Sequence, residues 1–297
     1  MSISNTSKGI ILIISSAFCF ALMAVFIRLA GDISFIQKAF FRNAVAFIIA
    51  FAGLLLDYKK SGKAAVSIPK GCLLYLFIRA ISGSIGIFGN FYAVDRLVLS
   101  DAAILNKMAP FFAIIFSFIL MKEKIKPLPL VAIIIAFLGS VLIVKPSMDF
   151  SKTLPSLAGF IGGVGAGLAY ACVRKLGALK CNGKIIIFFF SVFSMMLSIP
   201  YMIKSYNPMS LNQFLCLCGA GACAAGGQFT ITAAYYHAPA REISIYDYSQ
   251  IIFSTILGFV FFGQLPDYLS VIGYLIIIAM AALNFFYTKK TQLHNEH

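Results

Sequence analysis

The chain has 297 residues, of which 61% are hydrophobic and only 11% are charged. Soluble domains are about 45–50% apolar and about 25% charged. A chain of this size could not bury so many apolar residues in a core, which excludes a soluble nucleic-acid binder despite the net charge of +14. The hydrophobicity also excludes a disordered chain, and the composition predicts a protein surrounded by the lipid bilayer.

Ten apolar stretches follow one another along the chain, separated by short polar connections. Each is close to the ~20 residues that a helix needs to cross a membrane. The stretches cover residues 9–30, 35–56, 73–94, 98–121, 128–144, 157–173, 185–203, 214–236, 243–262 and 268–287. The sequence therefore predicts an all-α polytopic membrane protein with ten transmembrane helices, numbered here 1 to 10 in chain order.

The basic residues predict how these helices insert. With the N-terminus inside, fifteen Lys and Arg residues lie on inner segments and five lie on outer loops. Cytoplasmic loops of membrane proteins carry such an excess, so we expect a multi-pass protein of the cell membrane with both termini in the cytoplasm. Only Lys8 precedes the first long apolar run, and no clear small-residue cleavage site follows it. This pattern favours an uncleaved first helix over a signal peptide.

Four basic residues remain, within or at the ends of predicted helices: Arg28, Arg42, Arg79 and Lys107. Ionisable groups at membrane depth usually face a cavity or a partner. On helix 3, Arg79 shares a face with Asn90 and two glycines. Its planar guanidinium can bind a carboxylate or phosphate with two parallel hydrogen bonds, but it is also near enough to the inner end to extend its charge into water. Arg42 on helix 2 presents the same alternatives, with a structural role favoured.

Lys107 on helix 4 lies about 14 Å from the outer end of its helix at 1.5 Å per residue. With Asn106 it belongs to a stripe of small and polar residues along that helix. One interpretation is a cation that faces a cavity and binds an anionic substrate group, or is neutralised during transport. The other is a structural ion pair with Asp101 or Asp247. The two interpretations are compatible, and the sequence leaves both open.

Helices 6 and 8 add packing and hydrogen-bonding residues. Gly159, Gly163 and Gly167 on helix 6 recur every four residues, the pattern of close helix packing in membranes. Tyr170, one turn further along, can reach a central cavity. Gln228 on helix 8 supplies an amide to the same region.

Helix 9 contains an acidic residue among polar neighbours. Asp247 is preceded by Tyr246 and followed three residues later by Gln250. A carboxylate with phenol and amide groups nearby can hold a proton, Na⁺ or a substrate amine. We therefore predict a central pair of Lys107 and Asp247, one from each half of the chain.

The two halves of the chain resemble each other. An alignment that lays Glu123 on Gln264, at the ends of helices 4 and 9, also places Asn106 on Asp247. The alternative is that any two apolar stretches show some similarity. A duplication predicts five-helix repeats over residues 1–148 and 149–297, and the odd number of helices means that the second copy is inverted. Inverted repeats of this kind are a transporter architecture that binds substrate near the membrane midplane, between the repeats.

The sequence offers little for an enzyme or a channel. Three His residues occur, two of them in the polar tail, and no motif indicates a nucleophile–base pair, a metal cluster or a phosphate-binding loop. A channel would need a filter or a ring of like side chains, and no filter motif is evident. We predict a carrier with no enzymatic activity, no cofactor and no metal.

Short motifs at matching helix positions carry a family resemblance. They are Ala39-Phe-Phe-Arg-Asn in helix 2, Ile78-Arg-Ala-Ile-Ser-Gly and Gly89-Asn-Phe-Tyr-Ala in helix 3, Ser100-Asp-Ala-Ala with Pro110 and Glu123 in helix 4, Ala238-Pro-Ala and Tyr248 before and in helix 9, and Gly263-Gln-Leu-Pro-Asp after it. With them the chain resembles the drug/metabolite transporter superfamily, specifically its EamA-type ten-helix carriers, over nearly its whole length. The second copy departs from the family pattern at Gln264 and Met280, which replace a Glu and a Gly at a helix end and a packing position.

The resemblance implies secondary transport by alternating access, with a central cavity lined by both repeats. The candidate substrate-binding residues are Lys107, Asp247, Asn106, Arg79, Asn90, Tyr246, Gln250, Gln228 and Tyr170. We expect a small polar substrate, amino-acid-like or zwitterionic, whose anionic group meets Lys107 and Arg79 while Asp247 meets a cation or proton.

An alternative substrate follows from the arginine pattern in helices 2 and 3. It is also similar to the branch that takes up S-adenosylmethionine, so uptake of such a nucleoside-like metabolite is the alternative function. The expected partners are the substrate, a coupling proton or Na⁺, the lipid bilayer and a second copy of the chain in a homodimer, with no nucleic acid.

Overall fold

The fold was examined in a computed structural model that describes residues 5–96, 105–122, 126–144, 153–204, 206–263 and 266–295. Throughout these ranges the regular structure is helical and no strand occurs. Eight of the described helices are long and apolar enough to cross a membrane, and two shorter apolar helices accompany them. The predicted all-α polytopic fold is confirmed.

The main helices are numbered α1 to α10. They are α1 Asn5–Leu29, α2 Phe35–Ser61, α3 Cys72–Arg96, α4 Ala109–Met121, α5 Pro127–Val144, α6 Thr153–Ala178, α7 Gly183–Lys204, α8 Leu211–His237, α9 Ser249–Phe262 and α10 Tyr268–Asn295. A one-turn helix, Ala240–Ile243, and a 3-10 helix, Ser244–Tyr248, lead into α9. The burial pattern is that of a membrane protein: Arg42, Arg79 and Lys107 are buried, whereas Leu74 and Phe286 are among many exposed apolar residues.

Two of the predicted helices are interrupted, which corrects the sequence-based expectation. Helix 9 was expected to run unbroken over 243–262, but the 3-10 helix separates its first turn from α9. In helix 4, Lys107 and Met108 form a turn and the regular helix begins only at Ala109. Pro110 explains this second break, because a proline ring clashes with the carbonyl four residues earlier and is tolerated only in the first turn of a helix.

The helices pack in pairs that bring the two halves of the chain together. Helix α3 packs on α6, α1 on α8, α5 on α10 and α2 on α7. Small residues allow these close approaches in lipid. A Cβ atom on Gly86 of α3 would lie 3.3 Å from the backbone nitrogen of Ala166 on α6.

The glycine motif of helix 6 serves packing, as predicted. A Cβ atom on Gly163 would lie 2.5 Å from the carbonyl oxygen of Leu105, and one on Gly167 would lie 2.8 Å from that of Ala109. The start of α4 therefore rests directly on α6. This contact fixes the position of Lys107, which lies between Leu105 and Ala109 in sequence.

Helices α4 and α9 also end in the same way. Each is closed by a residue in the left-handed conformation, Lys122 with φ of 55° and Gly263 with φ of 64°. The backbone nitrogen of each donates to the carbonyl four residues earlier, at 2.8 and 2.9 Å. The sequence alignment that places Asn106 on Asp247 also places Lys122 on Gly263.

Candidate substrate-binding cavity

A cavity of about 120 Å³ lies between the two halves of the chain. It is lined by residues of α1, α2, α3, α6, α7 and α8 and by the two interrupted segments at the starts of α4 and α9. Eight of the nine residues predicted from the sequence line it: Lys107, Asp247, Asn106, Arg79, Asn90, Gln250, Gln228 and Tyr170. The structure therefore brings together side chains from both halves that are far apart in sequence.

Lys107 and Asp247 form a buried ion pair on the wall of this cavity. The Lys107 Nζ atom lies 3.1 Å from Asp247 Oδ2, and the two side chains are 8% and 11% exposed. The same Nζ donates to the Oε1 atom of Gln250 at 2.7 Å. The predicted central pair is thus present in the structure, and the other candidate partner, Asp101, lies outside the described residues.

The two helix breaks are bound to each other by hydrogen bonds from the side chains of each to a backbone carbonyl of the other. Lys107 Nζ donates to the carbonyl oxygen of Asp247 at 3.3 Å, and the Tyr248 hydroxyl donates to the carbonyl oxygen of Lys107 at 3.1 Å. A break in a helix leaves carbonyls without their usual partners, and at membrane depth each one must be satisfied by protein groups. Here each break supplies the donor that the other break lacks.

Two arginines line the cavity beside this pair. Arg79 donates from Nη2 to Oε1 of Gln228 at 3.1 Å, and its guanidinium lies 4.1 Å from the centre of the Phe190 ring. Arg79 is 2% exposed and Arg42 is 7% exposed. The Nε atom of each is buried without a hydrogen-bond partner among the described residues. Arg79 therefore points into the cavity and does not extend to water at the end of its helix.

Tyr170, which lines the cavity, packs on a second aromatic ring towards the end of the helix bundle where the chain begins. The rings of Tyr170 and Tyr235 are stacked with centroids 4.9 Å apart, and the Tyr235 hydroxyl lies 3.2 Å from Ser244 Oγ. Further towards that end, Thr6 Oγ1 donates to Glu242 Oε2 at 2.8 Å. In the other direction the lining extends to Asn90, about 16 Å beyond Arg79 along α3 at 1.5 Å per residue.

One predicted site residue lies elsewhere. Tyr246 does not line the cavity; its hydroxyl donates to the carbonyl of Ala281 on α10 at 3.2 Å. The 3-10 helix explains this, because it turns the side chain of Tyr246 away from that of Asp247. Phe190 lines the cavity but was not predicted, because nothing in the sequence distinguishes it among 30 phenylalanines.

The donor groups of the cavity are those of an organic ligand site. Within the described ranges, no group of three or more His, Cys, Asp or Glu side chains is arranged to hold a metal ion. The lining instead combines three cations, one carboxylate, four amides and several aromatic rings. Such a set can bind charged and polar groups of a small molecule in a fixed orientation.

Comparisons with known proteins find similarity to membrane transporters. Residues 7–145 match the model of the EamA-like transporter family. The pseudopaline exporter CntI of Pseudomonas aeruginosa is 28% identical over 96% of this chain and 98% of the relative. Solute carrier family 35 member G1 of Homo sapiens is 26% identical over 91% of this chain and 77% of its own.

A solved crystal structure has the same architecture. It matches 96% of this chain and 99% of its own with a TM-score of 0.80, at 16% sequence identity. At that identity the match shows a common fold.

Proposed function

We propose that this chain, whose residues 7–145 match the model of the EamA-like transporter family, is a secondary active transporter that moves a small polar metabolite across the cell membrane by alternating access. The substrate is amino-acid-like or zwitterionic and binds in the central cavity. Its anionic group meets Lys107 and Arg79. Asp247 takes the cation or the coupling proton.

The buried pair of Lys107 and Asp247 is the observation that carries this proposal. An ion pair in a low-dielectric interior adds little stability, because the cost of removing both charges from water offsets their attraction. Ionisable groups at membrane depth instead mark substrate and ion pathways. Protonation of Asp247 would leave Lys107 free to bind a substrate anion, which couples the two ligands through one contact.

The packing of the helices supports the proposed inverted repeats. If α1 to α5 correspond to α6 to α10, the pair α3–α6 corresponds to α8–α1, and the pair α4–α6 corresponds to α9–α1; all four occur. The pairs α2–α7 and α5–α10 join helices to their own counterparts. Rocking of two such halves around a fixed site gives alternating access.

The tyrosine stack beside the cavity supports a gating role for this pair. Tyr170 lines the cavity and its ring lies 4.9 Å from that of Tyr235, towards the end that we predict to be cytoplasmic. Separation of the two rings would open the site towards the cytoplasm.

Counterflow in proteoliposomes tests this function. Proteoliposomes that contain the purified chain are loaded with a pool of unlabelled amino acids and related metabolites, and uptake of each labelled compound is followed at several pH values. We expect exchange of at least one zwitterionic metabolite, and loss of its pH-dependent uptake in Asp247→Asn. A channel would dissipate the gradient, and an enzyme would do neither.

The matched control is Asp267→Asn. Asp267 Oδ1 accepts from the backbone nitrogen of Ser270 at 3.1 Å at the start of α10, away from the cavity. Asn replaces Asp well in such a capping position, so this variant should transport like the parent. Unchanged pH-dependent uptake in Asp247→Asn would refute the proposed coupling.

A further inference from the structure

We propose that Arg42 and Arg79 form a binding site for two negative charges, so that the substrate is a molecule with two anionic groups of the carboxylate or phosphate type. This inference rests on the proposed function of the cavity. It narrows the substrate class from small polar metabolites in general to those with an excess of negative charge.

The charges of the described residues that line the cavity do not cancel. Lys107 and Asp247 neutralise each other at 3.1 Å. Arg42 and Arg79 line the same cavity, and no carboxylate of the described residues forms an ion pair with either of them. A buried charge without an opposite charge beside it is destabilising, so two such cations in one cavity indicate that their counter-charge arrives with a ligand.

Some N–H donors of the two arginines also lack hydrogen-bond partners among the described residues. A guanidinium has five N–H donors in a fixed fork. Arg79 uses one Nη atom for Gln228, and Arg42 has no hydrogen bond within the described part of the chain. The Nε atoms of both are buried and unpartnered among the residues that the structure describes. Donors of this kind are available to a carboxylate or phosphate, which an arginine binds through two parallel hydrogen bonds.

The surroundings hold the Arg79 guanidinium in a fixed plane. It lies over the Phe190 ring at 4.1 Å, and this stacking leaves its edge, which carries the donors, free. Gly83 leaves the space that this stacking needs. A Cβ atom on Gly83 would meet the Arg79 Nη1 atom and would lie 2.8 Å from Phe190 Cε2. A preorganised fork of this kind binds an anion with little further loss of conformational freedom.

A structural role explains these observations less well. Lys107, the third cation of the cavity, is paired with a carboxylate at 3.1 Å, whereas the two arginines have no such partner among the described residues. Stacking on Phe190 accounts for the position of Arg79 but not for the unpartnered donors. It leaves Arg42 unexplained.

Binding of charge-matched ligands to the purified full chain tests the inference. The probes are doubly charged succinate, its singly charged monoamide and its neutral diamide, the same three forms of glutarate, and a phosphate monoester with its neutral alcohol. Affinity is measured by thermal shift and by calorimetry. In at least one series we expect the doubly charged form to bind about tenfold or more tightly than the next less charged form of that series. Preference within the carboxylate or the phosphate series identifies which anion the site takes.

Arg79→Gln and Arg42→Gln should each abolish this preference. The matched control is Arg96→Gln, since Arg96 is on the same helix and also stacks on an aromatic ring, that of Tyr92 at 3.9 Å, but is exposed. If a Gln variant does not fold, the corresponding Lys variant keeps the charge and loses the fork. It should retain a preference for the doubly charged form with weaker binding.

Two outcomes would overturn the inference. One is equal affinity for all charge forms in every series. The other is binding of a cationic metabolite such as S-adenosylmethionine in place of the anions. Neither would affect the proposed transport function, which fails only if Asp247→Asn keeps its pH-dependent uptake or if the intact chain exchanges no metabolite at all.

Discussion

The breaks before α4 and α9 occupy equivalent places in the two halves but have different causes. Before α4, Pro110 prevents the helix from continuing through Lys107. No proline stands at the corresponding place before α9, where Ser249 Oγ donates to the carbonyl of Tyr246 at 2.7 Å and Lys107 donates to that of Asp247. The first break is therefore determined within its own segment, whereas the second combines a local hydrogen bond with one from the first break.

The comparison also explains how one cavity acquires two opposite charges. The first break carries Asn106 and Lys107, and the second carries Asp247 and Tyr248 at the aligned positions. Like residues at both places would have put two cations or two anions side by side. The different residues at these aligned positions instead give an ion pair in which a backbone carbonyl of each break accepts from a side chain of the other.

The largest effect should follow from the replacement of Lys107, the cation in the break before α4. In Lys107→Met, Asp247 keeps a buried charge without its ammonium partner, which costs about 3–5 kcal/mol of folding stability. We also expect counterflow to be lost. Thermal unfolding of the purified protein in detergent and counterflow in proteoliposomes measure the two effects.

A double variant separates the two consequences. Lys107→Met combined with Asp247→Leu removes both charges and should recover most of the lost stability, because an apolar pair of similar volume can replace a buried ion pair. Transport should remain absent. If Lys107→Met alone proved as stable as the parent, the pair could not be as buried and as tightly coupled as its geometry indicates.

The sequence was sufficient to predict the fold, because its main determinants are local. Ten apolar stretches of membrane length predicted ten helices, and their ends differ from the observed ends by a few residues at most places. The breaks were not predicted, although Pro110 offered a signal for the first. The break before α9 depends in part on a contact with Lys107, a residue 140 positions away, which no local pattern could have revealed.

The charged residues of the cavity could be predicted from the sequence, because a charge is costly to place in lipid. Lys107, Asp247 and Arg79 were identified because a charge at membrane depth needs a reason to be there. The same argument applied to Arg42, where a structural role was favoured, yet it lines the cavity without a hydrogen bond to any described residue. Tyrosines are ambiguous in this respect, because they also serve as anchors at the membrane surface.

A smaller effect is expected when the second break loses the Tyr248 hydroxyl, which donates a hydrogen bond to the first break. Tyr248→Phe removes the hydroxyl that binds the Lys107 carbonyl at 3.1 Å and leaves this buried oxygen without that partner. Such a loss costs about 1–3 kcal/mol. Since the turn that holds Lys107 is loosened, we also expect slower counterflow. A stability equal to that of the parent would show that the Tyr248 hydroxyl does not contribute to the binding of the two breaks.

The smallest effect should come from the neighbouring tyrosine. Tyr246 is two positions before Tyr248 in the same 3-10 helix, but its hydroxyl binds Ala281 on α10 and its side chain is outside the cavity. Tyr246→Phe removes one partly buried hydrogen bond, worth about 1 kcal/mol. Transport should be unchanged, because no group on the cavity wall is altered. The pair of variants compares the loss of one phenol hydroxyl from two places in one turn, so a difference in counterflow between them reports on the contact between the breaks. If Tyr246→Phe slowed exchange as much as Tyr248→Phe, the 3-10 helix itself would control transport, and not its bond to the turn before α4.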